Sequence, residues 1–364
     1  MKSFFLLFFI LVFSGQSYIM LRTWQLLPAV PSVRITVVVL MATALILSIL
    51  SVTHVIDACP MPVSRIAYEI GTSWLIIAIY LIIIFLTVDI LRLSHIVSPT
   101  IFKSNLTQSV VLTISLILIF FLAWYHYKHK KRVAINVSTT KVLNKPLRFV
   151  LVSDLHLGYH NTRKDLHRWL QLIKAEHPDA ILIGGDLIDG SYRPVAVENM
   201  AEEFRQMDIP IFACLGNHDY YTGLDNDLRF CHRAGITVLR DSVASFEGIT
   251  LIGRDDRTNP HRKSLHEIMA GVNPKSFLLE LDHQPYHLEE AMNNGIDFEF
   301  AGHTHHGQVW PISWITDALY EKAFGAWQKG HTHYYISSGM GIWGAKFRIG
   351  TQSEYIVLSI INRK

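Results

Sequence analysis

Up to about residue 128 apolar positions run almost unbroken; after it they come in short bursts between polar and glycine-bearing stretches. Four apolar runs, approximately Phe4–Leu21, Val33–Ile56, Ile70–Leu91 and Val110–Tyr127, approach or reach the roughly 20 residues that cross a bilayer as a helix. The first also has features of a signal peptide: Lys2 as a charged start and small residues at Ser14-Gly15-Gln16-Ser17. An alanine-type cleavage pattern is absent, so an uncleaved helix is the expectation. Pro28 and Pro31 fit a turn between the first two spans. Trp24, Trp74, Trp124, Tyr125 and Tyr127 stand near span ends, where amphipathic rings favour the interface. Asp89, beside Arg92 near the end of the third span, reads as an interface residue.

The second half alternates short apolar runs with longer amphipathic ones. Strands are expected at Leu147–Val152, Ala180–Ile183, Ile211–Cys214, Thr250–Gly253, Ser276–Leu279, Phe298–Ala301, Tyr334–Ser337 and Glu354–Ile360. Helices are expected at Arg163–Glu176 with Thr162 as N-cap, Val195–Met207, Leu224–Ala234, Lys263–Ala270 and Tyr286–Asn293. That alternation specifies an α/β domain with helices covering sheets. The organisation that follows is a transmembrane region of about four helices over 1–132, a linker over 133–146 and a catalytic domain over 147–364. The stretch from Val133 to Lys145 reads as a connector or a first edge strand.

Composition sharpens this division. The 364 residues are 50% hydrophobic with a mean hydropathy of +0.26, too apolar for an average soluble protein. A net charge of +3 without a clustered basic face gives no sign of nucleic-acid binding. Cys59, Cys214 and Cys231 show no paired or metal-binding spacing and read as isolated small apolar residues. Lys128, Lys130, Lys131 and Arg132 follow the last span and place the catalytic half on the cytoplasmic side of an inner or plasma membrane. Arg22, Arg34, Arg92 and Lys103 then fall on the opposite side and weigh against that orientation.

The chemistry lies in five segments: Asp154-Leu155-His156, Gly185-Asp186-Leu187-Ile188-Asp189, Gly216-Asn217-His218-Asp219, His283, and Gly302-His303-Thr304-His305. Four follow apolar runs, so strands would carry their polar ends to one sheet edge. Carboxylate, carboxamide and imidazole donors without thiolate suit two divalent ions of intermediate hardness, such as manganese, iron or zinc. Asp186 is the natural bridging carboxylate. Asp154 and His156, two apart on an extended chain, would point the same way and reach one ion. His303 and His305 share that spacing but can divide between two ions. Asn217 adds an oxygen without charge. His218, oriented by Asp219, is placed to protonate a leaving oxygen.

In this order the motifs resemble the calcineurin-like metallophosphoesterase superfamily. Ser153–Gly158, Gly185–Gly190 and Gly302–Gln308 are most similar to its membrane-associated YaeI/YkuE-type branch. The resemblance covers about residues 147–360 and implies a metallophosphoesterase four-layer α/β/β/α sandwich. It also implies a first ion held by Asp154, His156, Asp186 and His305, and a second held by Asp186, Asn217, His283 and His303. His306 stands where close relatives usually carry glycine. The expected reaction is hydrolysis of a phosphodiester or pyrophosphate, with hydroxide made at the two ions attacking phosphorus and no phosphoenzyme. A membrane tether points to a lipid-linked substrate, and similar membrane-linked members include UDP-diacylglucosamine pyrophosphohydrolases. The alternatives are a phosphatase or phosphodiesterase for soluble nucleotides or cell-wall phosphates, and a non-catalytic membrane sensor or scaffold. Trp310, Trp314 and Trp327, with Ile312, Ile315 and Phe324, read as either a membrane-facing ledge or a packed loop. His160, His167, His177, His232, His261, His266, His287, His331 and His333 read as surface or satisfied core histidines.

Overall fold

The computed structural model describes residues 2–102 and 105–363, without the side chains of 2–9 and 99. Lys103, weighed above for orientation, lies outside the described residues. The chain divides into two compact units, 1–122 and 123–364.

The first unit holds α1 (Lys2–Leu26), α2 (Pro31–Val52), α3 (Met61–Leu93) and most of α4 (Leu106–Lys128). Among the described residues α2, α3 and α4 are long and apolar enough to cross a membrane. Pro31 opens α2, where its missing N–H costs nothing. Small residues let α2 and α3 approach closely, and Ser48 donates to the Gly71 carbonyl at 2.7 Å. Asp89 is not an interface residue at the helix surface. It is buried, accepts from Tyr18 at 2.6 Å and pairs with Arg22 at 2.6 Å, because a carboxylate inside an apolar bundle needs partners.

The second unit contains two six-stranded sheets. In the first the order is β1 (Lys131–Thr139), β12 (Glu354–Asn362), β2 (Leu147–Val152), β3 (Ala180–Gly184), β4 (Ile211–Cys214), β5 (Ile236–Val238). In the second it is β10 (Gly325–Lys329), β11 (Thr332–Ile336), β9 (Phe298–Ala301), β8 (Phe277–Leu281), β7 (Ile249–Gly253), β6 (Ser242–Phe246). Facing side chains such as Phe149, Leu151, Leu279 and Phe300 fill the space between the sheets. Outside the first sheet pack α5 (Arg163–Lys174), α6 (Tyr192–Val197), α7 (Ala201–Arg205) and, beyond the short α8 (Asn217–Tyr221), α9 (Leu224–Ala234). Outside the second lie α10 (Leu265–Ile268) and α11 (Glu289–Asn293), with α12 (Ile312–Leu319) further along the chain. This is the four-layer α/β/β/α sandwich.

β1 begins three residues after α4 and pairs in parallel with β12, so the stretch read as a connector or edge strand is the sheet's edge. The single helix expected at Val195–Met207 is two, broken where Asn199 takes φ 48°. Thr162 caps α5 in a reciprocal box with Asp165, as its spacing suggests.

The helix-facing side of the second sheet buries a charge cluster. Glu280 and Glu299 are directly paired across β8 and β9, with Arg254 3.9 Å from Glu280 and Arg262 paired to Asp282. Burial, then the Asp282 charge, push the Glu280 carboxyl up to about 8, against the pull of Arg254 and Arg262. A carboxyl whose folded value exceeds its ordinary 4.5 contributes stability in full below 4.5 and loses it as pH rises through about 8. Glu280→Gln keeps the shape without the titration. Its melting temperature should match wild type near pH 5 and exceed it by about 3–5 °C at pH 8. Scanning fluorimetry of the full chain at both pH values checks this, and identical curves at pH 8 would refute the buried proton.

Candidate metal centre

The segments that carry the candidate ligands leave the C-terminal ends of β2, β3, β4, β8 and β9. Asp154 and His156 follow β2, Asp186 follows β3, Asn217 and His218 follow β4, His283 follows β8, and His303 and His305 follow β9. The structure brings all seven candidate ligands together, in two neighbouring groups, and His156 also belongs to a third with Asp189 and His218. Asp154, His156 and His305 form one; Asp186, His283 and His303 form the other. Asn217 joins the second, its Oδ1 2.9 Å from His303 Nδ1. Asp186 Oδ2 lies 3.6 Å from His156 Nε2 and 3.2 Å from His283 Nε2, so one oxygen faces both groups.

The expected extended chain at Asp154 and His156 is not found. Both are left-handed, at φ 53° and 43°, as are Asp186 (52°), His303 (68°) and His305 (47°). Residues with a side chain hold such φ values only where the surroundings impose them, at a cost on the order of 1 kcal/mol or more each. Asp154 and His156 therefore converge through two tight bends, not through alternation on a strand. Two glycines make room for the ligands. A Cβ on Gly216 would stand 2.2 Å from Asp186 Oδ1, and one on Gly302 would stand 2.4 Å from Asp154 Oδ2.

The donor set fits divalent cations. His156 Nε2 and His305 Nε2 sit 3.1 Å apart, close to the spacing of two ligand nitrogens each about 2.0–2.1 Å from one ion. Burial, then neighbouring His283, push His303 down to about 4; burial and His156 hold His305 well below its usual value. Both rings are neutral with lone pairs to give. Burial disfavours a charged His283, yet Asp186 outweighs it and holds this ring well above the usual value, so the carboxylates call for positive charge here. His283 Nδ1 lies 2.7 Å from the Gly184 carbonyl, which fixes the tautomer with Nε2 free for a metal.

Around these ligands stands a supporting shell that the sequence reading assigned differently or missed. His218 Nδ1 lies 3.1 Å from Asp189 Oδ1, so Asp189 and not Asp219 orients the imidazole. Asp219 is fully buried and accepts from the backbone N–H groups of Gly216, Asp186, Leu187 and Ile188 at 2.7, 3.0, 2.8 and 3.3 Å. It ties the β3 and β4 loops together and faces no substrate. Burial works against a charged His218, but Asp186 and Asp189 outweigh it and lift the ring to about 9. Asp189 stood in the quoted motif, so its signal was present; its partner was not deducible from spacing.

Asn161 had no sequence signal. It is fully buried and its amide donates to the carbonyls of Leu155, His156 and Ile342 at 3.0, 2.9 and 3.0 Å, fixing the bend that carries His156. The Tyr127 hydroxyl donates to Asn161 Oδ1 at 2.5 Å. Tyr127 is fully buried in this unit, not poised at a membrane interface, because its hydroxyl has a partner inside the sandwich. Arg348, also fully buried, donates to the His305 carbonyl at 2.8 Å. Tyr127→Phe should leave Asn161 Oδ1 unsatisfied and cost about 1–3 kcal/mol. Thermal unfolding of the full chain, compared with an exposed control such as Tyr125→Phe, measures it; equal losses would mean that the bond contributes nothing.

His306 does not face the ligands. It stacks on Phe324 at 4.6 Å and lies 3.4 Å from Asp317. His160 is a core histidine whose Nε2 meets the Ile342 carbonyl at 2.6 Å. Asp255 and Asp256 are buried braces, taking Tyr220 and Gln284 as donors.

A two-sheet sandwich with clustered carboxylate, amide and imidazole groups beyond its strand ends is an arrangement able to hold divalent ions. Residues 147–307 match the family described as Calcineurin-like phosphoesterase. It is 30% identical over 227 residues to a transmembrane protein with metallophosphoesterase domain of Danio rerio, covering 57% of this chain and 52% of that one. It is 27% identical over 230 residues to a metallophosphoesterase of Campylobacter jejuni, covering 61% of each. Against the metallophosphoesterase YkuE of Bacillus subtilis it is 26% identical over 229 residues, 58% of this chain and 78% of that one. The chain thus spans between half and two thirds of the length of the first two relatives.

Proposed function

We propose that this chain is a membrane-anchored phosphoesterase that uses two divalent ions to hydrolyse a phosphodiester or pyrophosphate, in a lipid-linked substrate, from the cytoplasmic face. The approach of both ligand groups to the single Asp186 Oδ2 carries the reading. Asp154, His156, Asp186 and His305 would hold one ion; Asp186, Asn217, His283 and His303 the other. Ions bound there supply an activated water and neutralise charge developing on the phosphoryl oxygens.

The chain's own groups do the rest. The His218 backbone N–H holds Asp186 Oδ1 at 2.8 Å and fixes the shared carboxylate. With Asp189 keeping it aimed, the His218 ring can give a proton to a leaving oxygen. Trp343 and Tyr221 flank His218 at 6.5 and 5.3 Å, and Tyr320 lies 6.2 Å from His303. These rings give the mouth an aromatic rim. Completeness of the ligand set argues against a scaffold, which needs none of it. Hydrolysis of bis-p-nitrophenyl phosphate by the purified full chain, with manganese and then with a chelator, tests the reading. Metal-dependent release of nitrophenol is expected; no release with any of manganese, iron or zinc would overturn it.

A further inference from the structure

On α12 the usual arrangement of a surface helix is inverted. Its small polar residue, Ser313, is buried, while Trp314, Ile315 and Leu319 are 64, 57 and 69% exposed, and Trp310 just before it is 38% exposed. A helix on a water-facing surface would turn these side chains inward. Trp310 and Trp314 meet edge to face at 5.3 Å, and Ile315 and Leu319 follow on the same short helix.

Its position identifies what covers it. The Trp310 N–H donates to the Ile349 carbonyl at 2.7 Å, and the N–H of neighbouring Arg348 donates to the Ala123 carbonyl in the last turns of α4 at 3.0 Å. The base of α12 and the end of a membrane-length helix therefore flank the same two residues, on the order of 10 Å apart. Beside Ala123, Trp124 and Tyr125 are 41 and 45% exposed. Exposed tryptophan and tyrosine gathered where an apolar helix ends are the side chains that settle at the headgroup level of a bilayer. A second protein or a second copy would need a wider face: a stable protein interface involves roughly 20–30 residues a side, against four large apolar ones here.

We propose that Trp310, Trp314, Ile315 and Leu319 form a bilayer-contact surface, through which the candidate metal centre receives phosphoesters carried by membrane lipids. The second clause rests on the phosphoesterase reading; the first stands without it. The ledge begins five residues after His305, and Arg348 links the two by donating to the His305 carbonyl. A lipid held in the leaflet can therefore present its phosphorus to the ligands without leaving the membrane.

The test uses the full chain in phosphatidylcholine/phosphatidylglycerol nanodiscs, with zinc, which has a filled d shell and leaves spin labels unperturbed. Cys214 and Cys231 are buried and Cys59 is removed as Cys59→Ser, so a nitroxide can be placed at Leu319→Cys or, as a control, at Val197→Cys, 64% exposed in the native chain. Oxygen should relax the label at 319 more than a water-soluble nickel chelate does, with the order reversed at 197. A label at 319 as open to nickel as at 197, or sheltered from both reagents, would overturn the surface. In the same discs, Trp314→Ser with Leu319→Ser should slow hydrolysis of a diacylglycerol p-nitrophenyl phosphodiester by about tenfold and spare soluble bis-p-nitrophenyl phosphate. Equal effects on both substrates would overturn lipid delivery. A lipid-embedded label in a chain that hydrolyses neither substrate would uphold the surface and sink the phosphoesterase reading instead.

Discussion

Asp186→Asn is expected to reduce turnover of bis-p-nitrophenyl phosphate by at least about a thousandfold, on the order of 4 kcal/mol of lost transition-state stabilisation, and to deplete bound metal. The substitution is nearly isosteric, so the backbone loop and the contact from the His218 N–H to the Oδ1 position should persist. What changes is Oδ2, the atom 3.6 Å from His156 Nε2 and 3.2 Å from His283 Nε2. An amide cannot offer anionic charge to two cations, and if its nitrogen takes that position the donor faces them instead. Both proposed ion sites lose the carboxylate they would share, so metal analysis should show loss of more than one equivalent. Wild-type metal content with wild-type rate would remove Asp186 from the role given to it.

The second large effect is at His218. His218→Asn should lower the rate by roughly a hundred- to ten-thousandfold, the range of a general acid, while metal content stays near wild type. The ring is 18% exposed and its Nδ1 faces Asp189, leaving Nε2 for a substrate oxygen. The dependence on leaving group separates this role from loss of a ligand. A nitrophenolate leaves without help, so its ester should suffer least, and an alkyl ester most. A uniform loss across leaving groups, or parallel loss of metal, would place His218 among the ligands or the structural residues.

Much of this site was legible because four of the five ligand segments follow apolar runs. Phe149–Val152 and Ala180–Ile183 announce buried strands, and buried parallel strands must deliver their next polar residues to the same end. Of the strands that escaped notice, β6 and β10 alternate between half-buried and exposed positions, and β5 is only three residues long. The ligands' backbone geometry was illegible for a different reason: a left-handed aspartate or histidine is imposed by tertiary contacts and leaves no local pattern. The same holds for partners. Asp219 adjoins His218 in sequence while Asp189 stands 29 residues before it, and only the path of the loops decides which buried acid meets the ring. Asn161 and Arg348 act through main-chain carbonyls, which every residue has, so no spacing rule can reveal them.

Tyr127 lies in the last turn of an apolar helix, yet it plugs the interior of the sandwich and holds Asn161. Hydropathy would invite a truncation just after Lys128 to obtain a water-soluble enzyme. Such a truncation would excise a phenol from the middle of the sandwich and leave the bend bearing His156 without its keystone. A cut that respects the fold must come upstream of Tyr127.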